Sequence, residues 1–514
     1  MSIFNKISGK RLRSNSFDLS HEKKMSFNMG ELIPHLIQEI VPGDRFRVNS
    51  EVMMRLAPML APVMHRVNVF THFFFVPNRL IWNEWEDFIT GGKEGNLKPA
   101  LPSMTFNETR KANFYKGNLP DYFGIPTTSS GITNSLPIFI SALPFRAYQL
   151  IYDQYYRDQN LTNSIDINLG SHPEANEQTK LIVVRKRAWE KDYFTSCLPW
   201  AQRGGDVELP IDAQFTPSYM DRSALRKEDA GVPNDGDIKT EGGLMKAVNG
   251  ENIRVENLMD PQVIESTGIT INDLRLSVRL QEWLEKNARG GARYIEQIMS
   301  HFGVRSSDAR LQRAEFLGGG KTPIVISEVL QTTHSDDPDL GEVGSMAGHG
   351  LSVGNSNRFT KRFEEHGHVF GIVSVLPRTA YQQGVEKIFT RFDKLDYYWP
   401  EFANLGEQEV KNKEIYYKGM AGDKPEGTFG YQSRYAEYKY KQSSVHGDFR
   451  DDFAFWHLGR IFATEPALNT EFVESDPDHR IFAVDTPGVH KLWAQIYNNV
   501  KAIRPMPKFG TPTL

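Results

Sequence analysis

A run of three glycines followed by a lysine is the first place where this sequence could do chemistry. Residues 318–320 are glycines, and Lys321 and Thr322 follow them. The backbone N–H groups of such a run, with the lysine, can hold phosphates. The phosphate-loop pattern G-x-x-x-x-G-K-[ST] needs its first glycine at position 315, which is Glu315. Residues 323–326 also predict a strand where the pattern requires a helix N-terminus, so we predict no nucleotide site.

Two histidines on one predicted strand could bind a metal ion. His366 and His368 lie two residues apart, with Glu364 and Glu365 beside them. Imidazoles at this spacing share one face of a strand, but the sequence shows no third or fourth ligand at a suitable spacing. We therefore interpret this segment as the start of a strand and predict no metal site.

A third group of residues combines histidines with carboxylates: His446, Asp448, Asp451, Asp452 and His457. Paired carboxylates hydrolyse glycosidic bonds, but the sequence fixes no separation between these groups. Acidic residues beside glycine commonly cap turns. We predict no catalytic residue and no cofactor.

The single cysteine, Cys197, excludes an intramolecular disulfide framework and indicates folding in a reducing compartment such as a bacterial cytoplasm. Its aromatic surroundings at residues 193–200 predict a buried, inert thiol. The N-terminus lacks the apolar run of a signal peptide, and the apolar stretches elsewhere are too short to span a bilayer. We therefore expect a soluble protein.

Positive charge is concentrated at the two ends of a chain whose net charge is only -4. Any contact with DNA must therefore be local. Residues 1–24 carry six lysines and arginines and predict a mobile basic arm, and no acidic residue follows Asp485. The candidate DNA-facing residues are Lys6, Lys10, Arg11, Arg13, Lys23, Lys24, Lys501, Arg504 and Lys508. The alternative is that both ends are simply solvated tails.

The elements that must position these residues are mainly strands. Short extended segments separated by Pro and Gly begin near Glu31, with turn chemistry at residues 41–44. Residues 67–77 are apolar on both faces, which predicts a strand covered on both sides. Further strands are predicted at 323–326, 369–376 and 453–456, and a long loop at 335–362.

Helical spacing of apolar residues predicts a smaller number of helices. One begins near Asn78 and ends before Gly91, a second covers residues 145–158, and a third covers 274–298 with a break at Gly290. Residues 204–268 are acidic and rich in turns, which predicts a long exposed insertion. No repeat period is visible, which argues against a solenoid or a propeller.

Several blocks of sequence, in order along nearly the whole chain, resemble the major capsid proteins of gokushoviruses, a branch of the microviruses. These blocks are residues 17–24, 30–34, 41–44, 310–313, 317–320, 381–384, 397–400, 405–408, 455–458 and 504–507. The resemblance implies an eight-stranded viral jelly roll, an antiparallel β-sandwich with large loop and helical insertions. It also implies a T=1 icosahedral shell of about sixty copies around a circular single-stranded DNA genome.

The resemblance further implies partners and a place in the infected cell. The partners are other copies of the chain, the packaged DNA, an internal scaffolding protein, a small basic DNA-packaging protein, a pilot protein and a host surface receptor. The chain would be a virion component assembled in the bacterial cytoplasm.

The resemblance is weakest in residues 204–268. In the family, this part of the chain forms a protrusion at the three-fold axes of the shell, and that protrusion is proposed to touch the host. The candidate host-contact residues are Asp221, Asp229, Asn234, Asp235, Asp237, Lys239 and Glu241. The predicted parts are a basic arm (1–30), the first part of the jelly roll (31–203), the insertion (204–268), its helical base (269–322), the rest of the jelly roll (323–490) and a basic tail (491–514).

A jelly-roll carbohydrate-active enzyme or lectin is the rival interpretation, with the carboxylates near Asp448 lining its groove. Secreted enzymes of this size normally carry an export signal, and this sequence shows none. We therefore predict a structural capsid subunit and not an enzyme.

Overall fold

The computed structural model describes residues 14–106, 114–127, 138–171, 175–205, 207, 225–227, 238–241, 244–247, 253–255, 271–291, 293–332, 344–484, 486 and 488–509. The chain divides into two compact units: Gly204–Leu284, and a larger unit made of Met1–Arg203 and Glu285–Leu514. No helix in the described ranges is long and apolar enough to cross a membrane.

The strands dominate the larger unit. Their bounds are β1 (Asn15–Asp18), β2 (His21–Phe27), β3 (Ile33–Ile40), β4 (Arg45–Leu56), β5 (Val67–Pro77), β6 (Ser103–Phe106), β7 (Ile138–Ser141), β8 (Leu225–Lys227), β9 (Ile238–Glu241), β10 (Leu244–Ala247), β11 (Ile253–Val255), β12 (Glu315–Pro323), β13 (Val325–Leu330), β14 (Met346–Arg362), β15 (Gly367–Pro377), β16 (Glu407–Lys411), β17 (Thr428–Ser433) and β18 (Leu492–Arg504). All the ladders between these strands are antiparallel.

The helices are fewer and mostly short. Their bounds are α1 (Trp85–Thr90), α2 (Leu119–Tyr122), α3 (Leu143–Ile151), α4 (Ala175–Leu181), α5 (Ile271–Gly290), α6 (Tyr294–Phe302), α7 (Asn412–Ile415), α8 (Ala436–Lys439) and α9 (Thr470–Val473). A π-helical turn at Tyr152–Tyr156 continues α3. The second and third predicted helical regions are thereby confirmed, whereas the first is a 3-10 turn at Asn78–Leu80 followed by α1 from Trp85. α1 ends where Gly91 adopts a left-handed conformation at φ 78°.

Two antiparallel sheets form the body of the larger unit. The six-stranded sheet has the order β1-β18-β4-β14-β13, with β2 also paired to β18. The four-stranded sheet has the order β12-β5-β15-β3. The mainly β, antiparallel architecture is thus confirmed and is consistent with a jelly roll, whereas the predicted count of eight strands is not confirmed.

The core between the sheets follows from strict alternation in the sequence. On β4, Phe46 and Val48 are fully buried, and they pack with Val500 of β18 against Phe73 and Phe75 of β5. Side chains alternate across a strand, so every second residue of β4 must point away from this core. The buried faces of the two sheets therefore define a sandwich.

The other face of the four-stranded sheet is also covered. Phe74 of β5 and Phe370 of β15 pack with Trp82, Phe145 and Tyr148 in a second cluster that includes α3. This is why β5 is apolar on both faces, and the prediction that it is covered on both sides is confirmed.

Three predictions about local structure are wrong. Residues 453–456 form a 3-10 turn at Ala454–Trp456 instead of a strand. The long loop predicted for residues 335–362 is a 17-residue strand, β14, from Met346 onward. The basic arm predicted for residues 1–24 is not an arm from Asn15 onward, because β1 and β2 pair with β18.

The described residues of the smaller unit include one hairpin, a second two-stranded ladder and part of α5. β9 pairs with β10, and β8 pairs with β11. The unit begins at Gly204, where the predicted insertion begins, and it extends to Leu284 within α5.

Candidate nucleic-acid interface

The outward face of the six-stranded sheet is basic because of the way β4 is patterned. Phe46 and Val48 point into the core, so Arg45 and Arg47 point away from it, and both are exposed. Alternation of arginine with apolar residues thus places cations in a row along one strand.

The neighbouring strands add further cations to the same face. In the β4–β14 ladder Arg45 lies directly opposite Arg362, and in the β4–β18 ladder Arg47 lies directly opposite Lys501. Arg358 of β14 is exposed one step further along. We call these five residues the basic sheet face.

Two cross-strand pairs on the basic sheet face join like charges. Side chains directly opposite one another on an antiparallel pair are close enough to interact, and like charges there are destabilising. Lys501 is partly neutralised by an ion pair with Asp18. Within the described ranges, no ion pair or side-chain hydrogen bond joins Arg45, Arg47, Arg358 or Arg362 to another residue. These four exposed guanidinium groups could therefore bind an external anion.

A groove of about 620 Å³ runs across this face. Arg47, Arg358 and Lys501 line it together with the polar residues Thr360 and Asn499. Guanidinium groups bind phosphate oxygens through paired, charge-assisted hydrogen bonds. The groove can therefore hold a phosphate backbone without reading its sequence.

Two of the predicted DNA-facing residues are used inside the protein instead. Lys23 Nζ donates hydrogen bonds to the carbonyl oxygens of Tyr122 at 2.8 Å and Pro34 at 3.3 Å, and burial lowers its pKa to about 8. The Arg504 guanidinium pairs with both carboxylate oxygens of Asp44, whose side chain is fully buried. Both cations thus have partners within the protein, and their DNA-facing role stays a prediction.

The remaining predicted basic residues divide into two groups. Lys24, Lys501 and Lys508 are exposed, with Lys24 3.8 Å from Glu22. Lys6, Lys10, Arg11 and Arg13 lie outside the described residues. For both groups the DNA-facing role stays a prediction.

Most of the predicted host-contact residues also lie outside the described residues: Asp221, Asp229, Asn234, Asp235 and Asp237. Lys239 and Glu241 belong to β9, where the structure describes the backbone only. Their contact with a host therefore stays a prediction.

The glycine run and the histidine pair, which the sequence offered as possible phosphate and metal sites, are parts of strands and packing contacts. The glycine run lies in the middle of β12, where a Cβ on Gly319 would come within 2.4 Å of the His72 ring. His368 is buried in β15, which lowers its pKa to about 4, and His366 packs edge-on against Trp85. In the described part of the chain no cluster of three or more His, Cys, Asp or Glu residues could hold a metal ion.

The carboxylate cluster is a surface turn. Asp448, Asp451 and Asp452 are exposed around a 3-10 turn. His457 Nε2 lies 2.7 Å from the carbonyl oxygen of Phe449, and His457 Nδ1 accepts a hydrogen bond from the Gly459 N–H at 2.9 Å. This bonding requires a neutral ring with its proton on Nε2.

The thiol of Cys197 is inert. It is buried and donates to the Tyr193 carbonyl oxygen at 3.3 Å. Burial raises the pKa of the thiol well above its ordinary value, which suppresses the reactive thiolate. The predicted structural role of this cysteine is therefore confirmed.

Of the basic sheet face only Lys501 was predicted from the sequence, because the runs of positive charge lie at the ends of the chain and the four arginines do not belong to them. The available signal was the alternation from Arg45 to Val48, which places two arginines on one strand face. No comparable signal links Arg358 or Arg362 to β4, because strand pairing brings residues about 300 positions apart together.

Comparison with known proteins gives one consistent family. The family model described as capsid protein (F protein) matches residues 5–514. The capsid protein VP1 of Chlamydia phage 1 is 34% identical over 592 aligned positions, which cover 99% of this chain and 97% of that protein. The capsid proteins VP1 of Bdellovibrio phage phiMH2K and Spiroplasma virus 4 are 36% and 30% identical, over 96% and 99% of this chain and 94% and 97% of those proteins. The chain therefore belongs to the capsid protein (F protein) family and is a structural major capsid protein of a gokushovirus-like microvirus, a virion component and not an enzyme.

Proposed function

We propose that copies of this capsid protein assemble into a T=1 icosahedral shell around a circular single-stranded DNA genome, with the basic sheet face turned towards the DNA. The observation that carries the proposal is the row of opposed cations on β4, β14 and β18, four of them without a partner in the described structure. About sixty copies would complete such a shell.

Phosphates would remove the electrostatic cost of the opposed cations. In the isolated subunit Arg45 repels Arg362, and Arg47 repels Lys501. A phosphate in the groove would interact favourably with both members of a pair. This contact would be independent of base sequence and would weaken with salt, because binding releases condensed counterions. A capsid that must accept every part of a genome requires such a contact.

Further partners belong to the same proposal. Assembly in the host cytoplasm would use an internal scaffolding protein, and the particle would also hold a small basic DNA-packaging protein and a pilot protein. The insertion at residues 204–268 would meet the host surface receptor. Its acidic, turn-rich composition supports an exposed position.

A matched pair of double charge reversals tests the DNA-facing role. We expect Arg47→Glu with Arg358→Glu to weaken binding of a single-stranded oligonucleotide to the purified subunit at least tenfold. The slope of log affinity against log salt should fall by about one to two units. The control, Lys98→Glu with Arg305→Glu, changes the net charge equally at exposed positions outside the groove and should alter affinity far less.

Two readouts separate the parts of this proposal. Equal weakening by both double variants would show that only net charge matters and would contradict the assignment of the groove. Electron microscopy of wild-type protein produced with its phage partners tests the shell itself, since uniform small particles are expected. Persistent monomers would contradict the shell.

A further inference from the structure

The larger unit presents a group of large apolar side chains to solvent in one continuous segment, residues 387–405. The exposed fractions are 69% for Phe389, 89% for Phe392, 52% for Tyr397, 50% for Tyr398, 46% for Trp399 and 59% for Leu405. Contiguous exposed apolar surface of this extent is uncommon on a monomer and marks an interaction site. We call residues 387–405 the aromatic segment.

The aromatic segment is held in a defined shape. It contains three 3-10 turns, Lys387–Phe389, Lys394–Asp396 and Pro400–Phe402. The Asp396 carboxylate accepts the backbone N–H groups of Phe392 and Asp393, each at 2.9 Å. The internal hydrogen bonds thus fix the backbone that carries the exposed rings.

Side-chain contacts also fasten the segment to the body of the unit. Arg391 pairs with Glu437 at 3.0 Å, and both side chains are less than a tenth exposed. The same guanidinium lies 4.2 Å from the centre of the Tyr438 ring. Within the segment itself, Trp399 Nε1 donates to the Lys394 carbonyl oxygen at 2.8 Å. Little conformational entropy would be lost when such a preordered surface binds a partner.

The exposed area matches one side of a stable protein interface. These six side chains, which are 46% to 89% exposed, present on the order of 600 Å². Each partner in a standard interface buries about 800 Å². The aromatic segment could therefore supply most of one side of such an interface.

The charge of the segment favours a protein partner over nucleic acid. Residues 387–405 contain three basic residues (Lys387, Arg391, Lys394) and three acidic ones (Asp393, Asp396, Glu401). Surfaces that stack the bases of single-stranded DNA combine aromatic rings with a positively charged groove. Here the net charge is zero, and one of the cations, Arg391, is already paired.

We infer that the aromatic segment is a contact surface between neighbouring copies of this chain, an inference that rests on the proposed shell. A second copy is the partner that a shell supplies to every subunit, and interfaces between permanently associated copies are the most apolar. Phe392 is the expected centre of the contact, because an aromatic ring that becomes fully buried commonly dominates binding.

Hydroxyl-radical footprinting of the wild-type protein tests this inference without any substitution. We expect oxidation of Phe392 and Trp399 to fall about tenfold when folded subunits are compared with intact particles, because the centre of an interface excludes water. Phe74, which is 1% exposed, serves as the internal reference and should be protected in both.

Three outcomes separate this inference from the proposal on which it rests. If no particles form, the shell itself is contradicted. If particles form and Phe392 is oxidised equally in particles and subunits, the aromatic segment is not an interface, while the shell stands. Protection found only in DNA-filled particles and lost in empty ones would show that the rings stack on DNA and would overturn the inference.

A pair of substitutions at one position adds a functional readout. We expect Phe392→Asp to lower particle yield at least tenfold and Phe392→Tyr, which keeps the ring, to lower it little. The Phe392→Asp subunit should unfold at the same urea concentration as the wild type, because this side chain makes little contact within the subunit. Normal particle yield from a folded Phe392→Asp protein would contradict the inference.

Discussion

At the scale of single residues, the sandwich contains a buried polar group that ties its two sheets together. His35 on β3 and Asn498 on β18 are both fully buried. Their side chains lie 2.9 Å apart, from Nδ1 to Oδ1, and Asn498 Nδ2 donates to the His35 carbonyl oxygen at 3.1 Å. Ser50 on β4 also donates to Asn498 Oδ1 at 2.7 Å. Because each partner is desolvated, this network should be sensitive to any change of charge.

The first prediction concerns His35 and acid pH. Burial lowers its pKa from 6.5 to about 3, so below pH 6.5 the unfolded chain binds a proton that the folded chain does not. Stability should therefore fall as the pH falls. Between pH 7 and pH 5 this residue should contribute about 2 kcal/mol of the loss.

Urea unfolding of the unassembled subunit at the two pH values would measure this effect, with His35→Gln as the comparison. The variant should lose about 2 kcal/mol less than the wild type over that interval, although other buried histidines lower both. An equal loss in both proteins would contradict the prediction.

The second prediction concerns Lys23, whose amine is half-buried against two carbonyl groups. Its pKa is lowered from 10.5 to about 8, so between these values the folded chain releases a proton that the unfolded chain keeps. The penalty for burying the charge is present below pH 8 and is relieved as the pH rises. Relative to Lys23→Met, the wild type should gain about 2 kcal/mol in unfolding free energy between pH 7.5 and pH 10. A constant difference across this range would refute it.

At the scale of elements, β14 shows how glycine can belong to a strand. Gly348 and Gly350 lie within it, and a Cβ on Gly350 would come within 2.4 Å of Leu56. Glycine in a strand often marks a close approach of neighbouring groups. The same residues predicted a loop in the sequence, because strands are usually poor in glycine.

The third prediction follows from this packing. A Cβ on Gly348 would lie 2.3 Å from the backbone oxygen of Ala61, which cannot move without shifting the chain. We expect Gly348→Ala to destabilise the subunit by about 1–3 kcal/mol, measured by urea unfolding. The control is Gly205→Ala, where no atom lies within 4 Å of the added Cβ and the change should stay within about 0.5 kcal/mol. Equal stability of the two variants would count against the argument.

At the scale of the whole molecule, the chain divides into two units for which we propose different roles. The sandwich and its aromatic segment belong to the larger unit, and residues 204–284 form the smaller one. The larger unit contains the sequence blocks that resemble the family, and the smaller one contains residues 204–268, for which we propose contact with the host. Receptor specificity is therefore best sought in the smaller unit.

The fourth prediction tests that division of roles. Exchanging residues 205–268 between related phages should transfer adsorption preference while particle yield stays near the parental level. Adsorption rates on the two hosts, measured with purified particles, provide the readout. Unchanged adsorption in well-formed particles would mean that the host is recognised elsewhere.

Sequence patterns predicted the strands that have a clear local pattern of apolar residues and turn residues. β5 and β15 are apolar on nearly every residue, and the turn between β3 and β4 has Pro, Gly and Asp where a turn requires them. The predictions failed where a distant contact decided the outcome. The glycines of β14 lie against Ala61 and Leu56, which are distant in sequence. The amine of Lys23 donates to the carbonyl oxygen of Tyr122, which is also distant in sequence.

Family and class were accessible from the sequence, because ordered blocks of residues persist along a chain whatever its exact coordinates. Composition and alternation likewise indicate a mainly β protein, because the spacing of apolar residues within a short stretch of sequence is enough to indicate a strand. The basic sheet face was decided only by tertiary structure. Arg45 and Arg362 become neighbours through hydrogen-bonded pairing of β4 with β14, and electrostatic interaction depends on distance in space. For the same reason two of the cations predicted near the chain ends, Lys23 and Arg504, are bound inside the fold, whereas Lys501, on the same strand as Arg504, lines the groove.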